Sequence, residues 1–90
     1  MKVEEVISRV AELCRQYDAK KVILYGSRAK GTALERSDID IAVSGVNDFD
    51  LLVEKIEDLP TLYSVDVLNM DTCRNELLME DVRKYGRKIL

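Results

Sequence analysis

The sequence predicts an α/β (α+β) chain, a small mixed β-sheet flanked by helices. Three observations carry this. Runs with helical apolar spacing alternate with short β-branched runs. The link between the first two strand candidates is too short for a crossover helix, which favours an antiparallel pair. The link between the second and third contains a helical run, which permits a parallel pair. The 90 residues, 47% hydrophobic and 34% charged, suit one domain spanning residues 1–90, with no repeat, linker or low-complexity segment.

The first helix is expected from Lys2 to Tyr17, because Val3, Val6, Ile7, Val10, Leu13, Cys14 and Tyr17 share one face. Glu4, Glu5, Arg9, Glu12 and Arg15 occupy the other. Lys21 to Tyr25 is a β-branched and aromatic run that stops at Gly26, as a buried strand would. Ser27 suits the N-cap of a helical turn over Arg28 to Lys30, and Gly31 suits its left-handed end. Ser37 to Ser44 is the second strand. Asn47, with Asp50 three residues on, resembles a helix start, and Phe49, Leu52, Val53, Ile56 and Leu59 keep helical spacing up to Pro60. Leu62 to Leu68 is the third strand. Asp71 or Thr72 would cap a last helix over Cys73 to Tyr85, ended by Gly86, and Lys88 to Leu90 form a short final strand or tail.

Composition excludes several function classes. The chain has no histidine, so His-based acid–base catalysis and His-ligated metals are absent from it. Cys14 and Cys73 lack a CxxC spacing and give neither a zinc site nor a disulfide framework, and Cys14 falls on the apolar helix face. A net charge of −3 argues against nucleic acid as a direct ligand. Local cations (Lys20, Lys21, Arg28, Lys30 and Arg36) still gather around one turn, enough for a small anion. The acidic, amphipathic start MKVEEVISRV is unlike a signal peptide, and no apolar run approaches the roughly 20 residues a membrane span needs. A cytoplasmic location is the expectation.

The chemistry concentrates in VILYGSRAKGTALERSDIDIAV, residues 22–43. On a strand, Asp38 and Asp40 would point to one face, with Cα atoms about 7 Å apart. Ile39 and Ile41 would enter the core. Paired carboxylates repel unless a cation sits between them, and an oxygen-only donor set suits Mg²⁺, which is bound by one or two carboxylates plus phosphate oxygens. Two such ions, about 3.5–4 Å apart, can clamp both the attacking and leaving oxygens of a phosphoryl-type transfer. Gly26 and Ser27 supply the complementary half: close backbone approach, turn amides and a hydroxyl for a nucleoside triphosphate. Arg28, Lys30 and Arg36 lie near enough in sequence to neutralise remaining charge. Asp66, mid-strand between Val65 and Val67, would complete the site as metal ligand or proton acceptor if its strand lies beside Asp40. Each part alone has a plainer reading: a Gly-Ser turn is usually a loop, and an edge strand often carries exposed carboxylates.

Taken together, Gly26-Ser27, ten residues, and Asp38-Ile39-Asp40 resemble the signature of the DNA polymerase β-like nucleotidyltransferase superfamily. The wording GSRAKGTALERSDIDIAV is similar to its smallest members, the minimal nucleotidyltransferases (MNT, or MntA-like antitoxins), over most of the chain. That resemblance implies a nucleotidyltransferase (polymerase β palm-like) fold and Mg²⁺-dependent transfer of AMP from ATP to a hydroxyl. It implies that Gly26 and Ser27 hold the triphosphate, that Asp38 and Asp40 bind metal, and that Asp66 takes the third carboxylate position. It further implies a HEPN-domain toxin as partner, neutralised by AMP transfer to a tyrosine or by binding. Larger relatives carry a second domain for the acceptor, and nothing here can serve as one. The acceptor is therefore expected on another chain. Two other readings compete: a non-catalytic antitoxin that acts by occlusion, and a subunit modifying a small molecule such as an antibiotic across a dimer. Apolar positions on the first and last helices are compatible with a homodimer or a hetero-oligomer.

Overall fold

The computed structural model describes residues Met1–Leu90. In order they form α1 (Val3–Gln16), β1 (Lys21–Tyr25), α2 (Ser27–Lys30), β2 (Ile39–Ser44), α3 (Phe49–Glu57), β3 (Val65–Asn69), α4 (Glu76–Tyr85) and β4 (Arg87–Lys88). The strands make one sheet in the order β3-β2-β1-β4. β1 and β2 are antiparallel, with Lys21 opposite Ser44 and Tyr25 opposite Asp40. β2 and β3 are parallel, joined by the α3 crossover, and β4 is a short antiparallel addition to β1. The mixed sheet follows the sequence expectation.

Alternation along the strands divides their side chains between two faces. Val22 and Leu24 of β1 and Ile39, Ile41 and Val43 of β2 turn to one face, where Val6, Val10 and Cys14 of α1 and Leu52 and Ile56 of α3 cover them. A side chain of this size contributes roughly 1.5–3 kcal/mol when fully buried, so most of the stability comes from this layer. The other face holds a smaller cluster: Tyr25, Ala42 and Val82 of α4, flanked by Ile23, Leu68, Met70 and Leu78. Cys14 is fully buried, as its helix face implied, and burial pushes its thiol up to about 11.

Several boundaries differ from expectation, each for a hydrogen-bonding reason. β2 begins at Ile39 rather than Ser37, because Leu34 and Ser37 close a turn on each other. β3 begins at Val65 rather than Leu62. The Tyr63 amide donates to Thr61 Oγ1 at 3.1 Å, and Leu62 is fully solvent-exposed. The N-cap of α3 is Asp48, not Asn47; Asp48 takes a left-handed conformation and accepts from the Leu51 amide at 3.2 Å. α4 starts at Glu76 under an Asn75 cap rather than at Cys73, since Asp71 instead accepts from the Gly45 amide at 2.7 Å. Gly86 does end α4, but in extended backbone that leads into β4. No helix is long and apolar enough to cross a membrane.

Candidate active site

The site forms where β1 runs out and the chain must turn. Gly26 has φ 73° and ψ −155°, a conformation that L side chains rarely adopt. A Cβ there would collide with the Asp40 carboxylate, so the backbone favours glycine and any side chain would push that carboxylate aside. The single turn of α2 is held by Ala29 and Lys30 amides returning to the Gly26 carbonyl, each at 3.1 Å. Gly31, at φ 78° and ψ 16°, ends it in the left-handed conformation the sequence suggested. Ser27 is not the N-cap; Gly26 is, and no side chain caps the turn. The Ser27 hydroxyl is therefore not engaged in capping.

Asp40 occupies the centre. Its register partners are Tyr25 on β1 and Asp66 on β3, so the two carboxylates sit side by side on the sheet face that α4 only partly covers. Asp38 lies just ahead of β2, in exposed non-strand backbone, so its placement does not come from the strand alternation assumed for it. Asp66 is exposed at an edge strand rather than buried, so a partner is not needed to offset burial. Partial burial raises the Asp40 carboxyl above its ordinary range, and the charges of Asp66, Asp38 and Asp81 raise it further. Burial pushes the Tyr25 phenol up to about 12, reinforced by Asp40, Asp66, Cys73 and Asp81. These carboxylates act on one another without a compensating cation at Asp40.

Two basic residues expected near phosphate are engaged with the protein. Lys30 Nζ lies 2.7 Å from Asp81 Oδ1 and 4.9 Å from the Tyr85 ring centroid, which ties α2 to α4. The hydrogen bond to Asp81 raises the Lys30 ammonium. Arg28 is turned into the loop that follows α2. Its Nη2 donates to the carbonyls of Ser37 at 2.8 Å and Glu35 at 3.1 Å, its Nε to Ser37 at 3.2 Å, and its guanidinium stacks on Tyr63. Arg36, Lys20 and Lys21 are exposed. Sequence reasoning missed Tyr25, Tyr63 and Asp81. Asp81 had one signal, its place beside the Leu78–Val82 apolar stripe, where an acid needs a partner.

No group of three or more carboxylates and thiols is drawn close enough to cage a metal unaided. The donor set nevertheless fits Mg²⁺, which takes few protein ligands and completes its shell with water and substrate oxygens. The clustered, uncompensated charge at Asp40 is the local reason a cation would be welcome.

A mixed sheet with a glycine turn packed against a strand carboxylate, and a second carboxylate in register beside it, sets backbone amides and acidic oxygens side by side. The chain belongs to the Polymerase beta, Nucleotidyltransferase family, whose model matches residues 8–90. It is a nucleotidyltransferase. The Methanocaldococcus jannaschii protein named "Putative protein adenylyltransferase MJ0604" is 38% identical over 72 residues, covering 79% of this chain and 71% of that one. Among solved structures, a mutant of the toxin–antitoxin pair MntA–HpeT matches with a TM-score of 0.73 at 21% identity, over 92% of this chain and 71% of that one. A toxin–antitoxin structure with AMP-PNP matches with a TM-score of 0.68 at 22% identity, over the same 92% and 71%. At these identities the likeness is one of fold.

Proposed function

We propose that residues 1–90 act as one catalytic domain that transfers AMP from ATP to a hydroxyl of a partner protein, with Mg²⁺ as cofactor. The observation that carries this is the placement of the Gly26 turn against Asp40, with Asp66 in register beside Asp40. Gly26 and Ser27 would receive the triphosphate, and Lys30, held by Asp81, would add positive charge nearby. Asp38, Asp40 and Asp66 would hold Mg²⁺, which supplies charge neutralisation at the phosphates when bound. Asp66, the more exposed of the two register partners, accepts the proton of the attacking hydroxyl. That oxygen bonds to the α-phosphorus, the bond to the bridging oxygen breaks, and pyrophosphate leaves.

The names of the adenylyltransferase relative and of the toxin–antitoxin fold neighbours support a protein acceptor. We assign the acceptor as a tyrosine of a HEPN-domain toxin, with this chain as the cytoplasmic antitoxin. Incubation with α-labelled ATP, Mg²⁺ and the toxin should label the toxin, and Asp40→Asn should abolish labelling. An unlabelled toxin, under conditions where the two proteins bind, would refute transfer. Neutralisation that survives Asp38→Asn with Asp40→Asn would point to occlusion instead.

A further inference from the structure

Asp38 presents a problem of placement. It precedes β2, so the sheet ladder does not hold it, and it is exposed. The residues before it form a turn closed on itself. The Leu34 amide donates to Ser37 Oγ at 2.8 Å, and the Ser37 amide donates to the Leu34 carbonyl at 3.1 Å. The carbonyls of Leu34, Glu35 and Ser37 all converge on one guanidinium, that of Arg28, at 3.5, 3.1 and 2.8 Å. Both Nε and Nη2 engage the Ser37 carbonyl, a fork that a lysine cannot reproduce. The Tyr63 ring, 5.2 Å from the Arg28 Cζ, backs the guanidinium from the segment leading into β3. Arg28 thus connects the α2 turn, the loop and the approach to β3 through one planar group. The residue next to the doubly held carbonyl is Asp38.

We propose that Arg28 is a positioning residue, which fixes the backbone from Leu34 to Ser37 and so delivers Asp38 to its place beside Asp40, rather than contacting phosphate itself. This rests on the reading of Asp38 and Asp40 as metal-holding residues. A direct phosphate contact by Arg28 would support AMP-PNP binding with and without Mg²⁺ alike, so its loss would weaken both. A positioning role needs the fork, which lysine lacks.

The test measures AMP-PNP binding by calorimetry, with and without Mg²⁺, in wild type, Arg28→Lys, Arg28→Ala, Asp38→Asn and the Arg28→Lys/Asp38→Asn double variant. Apparent Mg²⁺ affinity should fall about 10- to 100-fold in both Arg28 variants, as when a group supporting a metal ligand is removed. The double variant should be no worse than Asp38→Asn alone, because the two residues act in series. AMP-PNP affinity without Mg²⁺ should stay within about twofold, since the phosphate-receiving groups are untouched. Amide exchange at Ser37 should quicken in Arg28→Lys with the core amides unchanged. If Arg28→Lys melts before it can be measured, Tyr63→Leu loosens the same grip from the other side. It should then lower Mg²⁺ affinity by a smaller factor.

Wild-type Mg²⁺ affinity in Arg28→Lys (or, in its place, in Tyr63→Leu) would overturn the positioning role alone. So would losses that multiply in the double variant. Absence of any Mg²⁺-dependent AMP-PNP binding in wild type would overturn the site reading as well.

Discussion

The two faces of the sheet perform different work. The face under α1 and α3 is wholly apolar and closed, with Val6, Val10, Cys14, Val22, Ile39, Ile41, Val43 and Leu52 fully buried. The face under α4 is apolar only in its middle, around Ala42 and Val82. At one end of it Tyr25, Asp40 and Asp66 stand in register across β1, β2 and β3, with the Gly26 turn against Asp40. One strand, β2, serves both faces: Ile39 and Ile41 point into the core while Asp40, between them, points to the opposite face. A chain of this size has little apolar area to bury. It concentrates stability on one side and leaves the other partly uncovered, where charge can do chemistry.

Substitutions should separate the two faces. The largest effect on folding is expected at the closed face, where Ile41→Ala should cost about 2–5 kcal/mol. Against a typical total of about 5–15 kcal/mol, much of the margin would go. Urea unfolding should show the loss, and nucleotide binding should fail only to the extent that the fold does. If Ile41→Ala proved nearly neutral, the division of labour between the faces would be wrong.

Gly26→Ala lies between the two extremes. Strain at a positive φ costs of order 1–3 kcal/mol, and the new Cβ would also displace the Asp40 carboxylate. Stability should fall moderately and AMP-PNP binding almost completely. A variant that bound nucleotide normally would break the link between the turn and the carboxylate.

Asp40→Asn should have the smallest effect on folding, and of opposite sign. Burial, then Asp66, Asp38 and Asp81, raise the Asp40 carboxyl in the folded chain. The folded state therefore binds that proton more tightly than the unfolded state does. The resulting stabilisation is fully present below the ordinary carboxylate range and is lost as pH rises through the raised value. At neutral pH the ionised Asp40 opposes folding. Thermal melts should find Asp40→Asn as stable as wild type or more so at neutral pH, with the difference shrinking in acid, while transfer is lost. A clear loss of stability at neutral pH would mean that Asp40 serves the fold.

The architecture was largely legible from patterning, because apolar periodicity reports burial directly. The α1 stripe, the Lys21–Tyr25 run and the alternation around Ile39 and Ile41 each specify an element and its inward face. Loop and cap residues were less legible. Asp48 rather than Asn47 caps α3, and Asn75 rather than Asp71 caps α4, because neighbouring polar residues compete for the same amides and the winner depends on distant partners. Gly45, for example, draws Asp71 away.

For the site, the sequence alone determined the ingredients: a glycine turn, two closely spaced carboxylates, a third mid-strand, and nearby cations. Each has a plainer reading alone, but their combination lies within one stretch, so the spacing is readable locally. Only the tertiary structure decided which of them meet. The parallel register of β2 and β3 set Asp66 beside Asp40, and the docking of α4 brought Asp81 to Lys30. The same folding turned Arg28 toward backbone carbonyls and Tyr63. A cation's partner is chosen by whatever oxygen or ring the fold brings within reach, and no local pattern in the chain encodes that distance.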